Sequence, residues 1–95
     1  MRSIIVNDLK TCYLCGSLRD IEVHHCIHGT AGRKLATKYH LLVGLCPSCH
    51  RGTYGVHGKY GHETDLMLKK LAQEKWEQKH GSREEWIRIF GKSYL

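Results

Sequence analysis

A small α+β domain held together by a metal ion is the fold class this chain predicts, on three observations. Two Cys-x-x-Cys pairs, Cys12 with Cys15 and Cys46 with Cys49, supply four thiols at metal-knuckle spacing. Two short strand-like stretches, residues 18–27 and 41–45, lie between the pairs. Two amphipathic helical patterns follow, over residues 63–79 and 82–90. With 95 residues the chain suits one domain, whose modest core calls for a staple.

The elements follow in order. Residues 3–7, Ser-Ile-Ile-Val-Asn, suit a short strand. Cys12 to Gly16 reads as a knuckle, a tight turn in which backbone N–H groups approach sulfur and Gly16 supplies a positive φ. In residues 18–27, Ile21, Val23 and Ile27 alternate loosely, as in a strand or extended hairpin. Gly29 and Gly32 make residues 28–34 a loop, with a short helical turn expected over residues 33–40. The apolar stretch 41–45 leads into the second knuckle, and Pro47 marks a helix start with His50 in its first turn. Residues 52–61 hold four glycines and read as a flexible loop.

A long helix is expected to begin at Glu63 or Thr64. Leu68, Leu71, Ala72 and Trp76 form its apolar stripe, and Gly81 stops it. Ser82-Arg-Glu-Glu85 has the form of a capping box and opens a last helix, with Trp86, Ile87, Ile89 and Phe90 on its apolar side and Gly91 at its end. Trp76 and Trp86 read as core. The metal-binding part spans about residues 10–55 and the C-terminal helical part about 62–91, within a single domain.

Composition narrows the function classes. Aromatics at 8% and a single proline exclude a disordered or proline-rich linker. No apolar run approaches the length of a membrane span, and the N-terminus is too weakly apolar for a secretory signal. The net charge of +6 favours a polyanionic partner, and because the basic residues are dispersed, folding must build the binding face. Five cysteines, an odd number, suit a reducing cytoplasm, where four bind metal and Cys26 is a plain buried thiol. A closed site of four soft thiolates points to structural zinc, with a rubredoxin-type iron site as the rival. Such an ion would contribute on the order of 10 kcal/mol to folding.

The cysteine pairs bracket a doublet, His24-His25, and the second pair runs directly into His50. Neutral imidazoles serve both as bases and as metal ligands. Phosphodiester hydrolysis needs one of each: a base for water and a divalent ion for the charge on the leaving side.

The string Cys12-x2-Cys15-Gly16, Ile21-Glu-Val-His24-His25, Leu45-Cys46-x2-Cys49-His50 resembles the four-cysteine branch of the HNH endonuclease family, over residues 12–51. The glycine-rich stretch and tail resemble small phage-encoded members. The resemblance implies a zinc-stabilised ββα-metal, treble-clef-like fold with two C-terminal helices appended, and a divalent-metal-dependent DNA endonuclease that uses a one-metal mechanism. It matches His25 to the general base, and His24 and His50 to ligands of the catalytic ion, which would be Mg²⁺ or Mn²⁺, with Ni²⁺ or Zn²⁺ as further options. The family's central Asn is replaced by His40 or Leu41, of which only His40 could brace the hairpin loop.

His57 or His62 is a candidate to complete the metal shell or touch a phosphate, against the competing reading of an exposed loop histidine. His28 and His80 read as surface residues, and Arg51 as a phosphate contact or a solvated side chain. DNA is the expected partner, with little sequence preference, since no recognition helix or aromatic stacking platform is evident. A monomer in the cytoplasm is expected, that of the host if the chain is phage-encoded. Two rival readings remain: a non-catalytic zinc module that binds nucleic acid or protein, and an accessory nuclease working with a recombination or packaging protein.

Overall fold

The computed structural model describes residues 1–95. It orders β1 (Glu22–His25), α1 (Thr30–Tyr39), β2 (Leu42–Leu45), α2 (Pro47–Arg51), α3 (His62–Lys79) and α4 (Arg83–Phe90). β1 and β2 form an antiparallel pair in the register Glu22 to Leu45 and His25 to Leu42. α2 packs on both strands, so the chain is a small α+β fold.

β2 is apolar and wholly buried, with Leu42, Val43 and Leu45 in the core. Gly44 lies beneath the first knuckle: a Cβ there would meet the Leu9 and Thr11 carbonyl oxygens and the Ile21 side chain, each at 2.8 Å. The Tyr13 N–H donates to the Gly44 carbonyl at 2.8 Å, so the absent side chain lets the knuckle dock on the strand. The knuckle closes as its spacing predicts. The Gly16 N–H donates to the Cys12 carbonyl at 2.9 Å, and Gly16 takes φ of 80°.

Three expectations need correction. Residues 3–7 form no strand. The Ser3 hydroxyl donates to the Leu42 carbonyl at 2.5 Å and accepts from the Ile5 N–H at 2.9 Å, turning the segment along β2. Residues 28–34 are not mainly loop, because α1 starts at Thr30 and runs for ten residues. Its Gly32 sits against the Ile27 side chain, 3.0 Å from where a Cβ would lie, so a residue read as a breaker instead permits a close approach. Residues 52–61 form hydrogen-bonded turns rather than a flexible loop. The N–H groups of Gly55, Gly58 and Gly61 each donate to the carbonyl of the glycine three residues earlier, at 2.9, 2.8 and 3.2 Å.

The C-terminal half follows the helical reading, except that Ile87, expected on the apolar side of the last helix, is exposed. α3 buries Leu68, Ala72 and Trp76. α4 opens with the Ser82–Glu85 capping box and buries Trp86, whose ring stacks on Phe90 at 3.7 Å between centroids. The Trp76 and Trp86 centroids are 5.6 Å apart, and both residues are core as expected. No helix is long and apolar enough to cross a membrane.

Candidate functional site

The knuckle turn and the start of α2 bring four sulfurs together. The Sγ atoms of Cys12, Cys15, Cys46 and Cys49 all lie within 4.8 Å of one another, and none is in a disulfide. Cys15 and Cys46 are 3.7 Å apart at sulfur. A tetrahedral ion with bonds of about 2.3 Å would separate its sulfurs by about 3.8 Å, so the donor set fits zinc. Cys46 also caps α2, its sulfur accepting from the Cys49 N–H, with Pro47 at the first helical position. Burial pushes the Cys12 thiol up, but the N–H groups of Cys46, Cys15 and Leu14 outweigh it and bring the pKa down to about 6. Burial and the neighbouring thiols push Cys49 up. Four thiols this close could hold a metal ion, whose charge would favour their ionised forms. Cys26 is fully buried with its thiol pushed up to about 12 by burial and by Asp65, which agrees with the sequence reading.

A second cluster is built from imidazoles. Ligand nitrogens of His24, His50 and His57 lie within 4.8 Å of one another. The ring centroids are 5.1 Å apart for His24 and His50, 5.1 Å for His24 and His57, and 4.9 Å for His50 and His57. The period of two along β1 puts Glu22 and His24 on one face and His25 on the other. The second knuckle places His50 next to Cys49, on α2. His57 is seated by the chain itself: its N–H donates to the His50 carbonyl at 3.1 Å, and the Val56 N–H donates to that of Cys49 at 2.9 Å. The cysteine frame therefore positions two of the three imidazoles almost directly.

His24 is buried, and its Nε2 has no hydrogen-bond partner. Burial, and then the neighbouring His50, His57 and His28, lower its pKa to about 3, so it is neutral with a free lone pair. An orphaned imidazole nitrogen among two others is chemistry that a divalent ion satisfies. His50 is oriented by Glu22, which binds its Nδ1 at 2.7 Å and leaves Nε2 for a ligand. Glu22 is itself held by Arg51, whose Nε donates to Oε1 at 3.0 Å and whose Nη2 donates to Oε2 at 2.6 Å. Arg51 and then His50 hold the Glu22 carboxyl down at about 2. Arg51 thus lies in an ion pair, 62% exposed, rather than being committed to a substrate phosphate.

His25 is outside the three-nitrogen cluster but lines the same open cleft of about 1000 Å³ as His24, His50 and His57. Its Nε2 lies 3.1 Å from the Thr37 hydroxyl on α1. That hydroxyl donates its one hydrogen to the Arg33 carbonyl at 3.1 Å. Both contacts are hydrogen bonds together only when His25 Nε2–H donates to Thr37, the arrangement that leaves Nδ1 with the free lone pair. Burial, and then Arg33, lower the His25 pKa, which keeps the ring neutral near pH 7.

His28, read as a surface residue, belongs to the cleft instead. Its ring is 5.1 Å from that of His57, and its Nε2 is 2.8 Å from Asp65 on α3, which Lys69 also binds at 2.9 Å. Burial raises the Asp65 pKa, but Lys69 and His28 outweigh it and leave it lowered. His62 caps no metal shell: it begins α3 as an exposed residue. His40 occupies the left-handed C-cap of α1 with φ of 59°, a position Asn also favours, while Leu41 is core. Neither side chain braces the loop. The Cys26 N–H to Leu41 carbonyl bond, at 3.0 Å, closes it instead.

Of the residues the sequence reading passed over, Glu22 carried a signal, two places before His24 on a strand. The pairing of His28 with Asp65, 37 residues apart, carried none. Comparison with protein-family models, curated proteins and solved structures found no match.

Proposed function

We propose that this protein is a divalent-metal-dependent DNA endonuclease of HNH type, built on a treble-clef-like, zinc-stapled ββα frame. One observation carries the reading: three imidazoles, one with an orphaned buried nitrogen, converge in a cleft that a fourth, His25, also lines. His24 and His50 would hold the ion, with His57 as a third ligand. All-nitrogen donors favour Mn²⁺ or Ni²⁺ over Mg²⁺. A divalent ion bound there supplies neutralisation of the charge that grows on the leaving 3′ oxygen.

The chain's own residues do the rest. Thr37 fixes the His25 tautomer, so Nδ1 accepts the proton from the attacking water. Glu22 fixes His50. Arg33 and Lys34 line the cleft on the α1 side and attract the phosphate backbone. The net charge of +6 supports the same partner.

Nicking of supercoiled plasmid with Mn²⁺ tests the reading. Wild type is expected to nick in a reaction that EDTA stops, and His25→Ala to cut roughly 10²–10⁴ times more slowly. Wild type cutting no faster than His25→Ala would leave a non-catalytic zinc module in its place.

A further inference from the structure

We propose that Tyr54 and Tyr60 form a stacking platform for unpaired DNA bases beside the cleft, which makes DNA with single-stranded character the substrate class. The inference rests on the endonuclease reading and narrows it. The two rings stack on each other, with centroids 5.2 Å apart and planes inclined by 25°. They are also 77% and 58% exposed, in a chain that buries both its tryptophans. The Lys59 ammonium lies 5.3 Å from the Tyr60 ring centroid. Aromatic faces with a cation alongside match a nucleobase and its phosphate.

The platform is preorganised. The Tyr60 N–H donates to the Thr53 carbonyl at 3.0 Å, closing the turn that carries both rings. A Cβ on Gly58 would collide with the Gly52 carbonyl, and one on Gly61 with that of Gly55, so only glycine permits this winding. Holding both rings in place before binding reduces the ordering cost of stacking. The position is also informative. His57 lies midway in sequence between the tyrosines, and the same turns present it inward to His24 and His50 while the rings face outward. A base stacked here would sit on the same run of turns that carries His57. In a closed duplex both faces of each base are covered by neighbours, so the platform favours single strands, flaps and branches.

Fluorescence anisotropy, without added divalent ion, measures the affinity of the full chain for labelled oligothymidylate and for a duplex of equal length. Tyr54→Ala and Tyr60→Ala are expected to weaken single-strand binding by about 5- to 100-fold. Duplex affinity, circular dichroism and zinc content should stay at wild-type values, and Tyr54→Trp should restore single-strand binding. Equal losses on both DNAs, or no loss on either, would overturn the platform. Unchanged affinity with Mn²⁺-dependent nicking retained would sink the platform alone. Wild type that neither binds nor cuts DNA would sink the endonuclease reading with it.

Discussion

Glu22 shows how much a single side chain decides. Its carboxylate joins Arg51 to His50, so losing it frees the imidazole to rotate and to change tautomer. Glu22→Gln is therefore expected to weaken divalent-ion binding at the histidine cluster by about 10–100-fold while the sulfur-bound zinc content is unchanged, as titration calorimetry and metal analysis would read. His24 sets a pH dependence. Its pKa is lowered from 6.5 to about 3, so below pH 6.5 the unfolded chain takes up a proton that the folded chain refuses. The stabilisation is fully present above that pH and falls as pH drops through the window. His24→Gln should flatten this slope, which denaturant unfolding of both chains above and below pH 6.5 would show. At this scale the four cysteines are legible, because each Cys-x-x-Cys spacing is local, and His24 and His50 are marked by standing inside and directly after that bracket, whereas His25 stands outside their cluster. The Asp65 partner of His28 is not legible, since only the packing of α3 brings it there.

At the scale of elements, the glycine-rich turns carry more than their composition suggests. Glycine's permissive backbone alone suggests a flexible loop. Their period of three, at 52, 55, 58 and 61, instead matches a chain of backbone hydrogen bonds and contacts that leave no room for a Cβ. Gly58→Ala is expected to destabilise the fold by about 1–3 kcal/mol, as overpacking does, and to displace His57. Urea unfolding gives the first effect, and loss of affinity for Mn²⁺ gives the second. The last helix was legible to its cap, since Ser82 and Glu85 bond each other's backbone as their spacing implies. Ser82→Ala should cost about 1 kcal/mol, measured by thermal or urea unfolding. Gly29 and Gly32 look like breakers in the sequence and hide the first turns of α1. Gly29 does precede the helix in a positive-φ conformation, but Gly32 is inside it, where its missing Cβ admits Ile27.

Across the whole molecule, one continuous frame links the sulfur cluster to the histidine cluster. The sulfur cluster fixes the first knuckle to β2 and the start of α2, α2 carries His50, and the carbonyls of Cys49 and His50 seat Val56 and His57. Removing the sulfur-bound ion should therefore disorder the histidine cluster as well. Cys46→Ser is expected to lose zinc and the cooperative unfolding transition together, as metal analysis and circular dichroism would report. The α+β class and the two C-terminal helices could be read from pattern alone. The way the histidines converge could not, because it depends on which face of β1 meets α2. Anomalous scattering from crystals grown with zinc and soaked in Mn²⁺ addresses the central claim, a second ion held by imidazoles apart from the sulfur-bound one. The account predicts a zinc peak among Cys12, Cys15, Cys46 and Cys49 and a separate manganese peak within bonding distance of His24, His50 and His57. A manganese signal absent from those three side chains would contradict it.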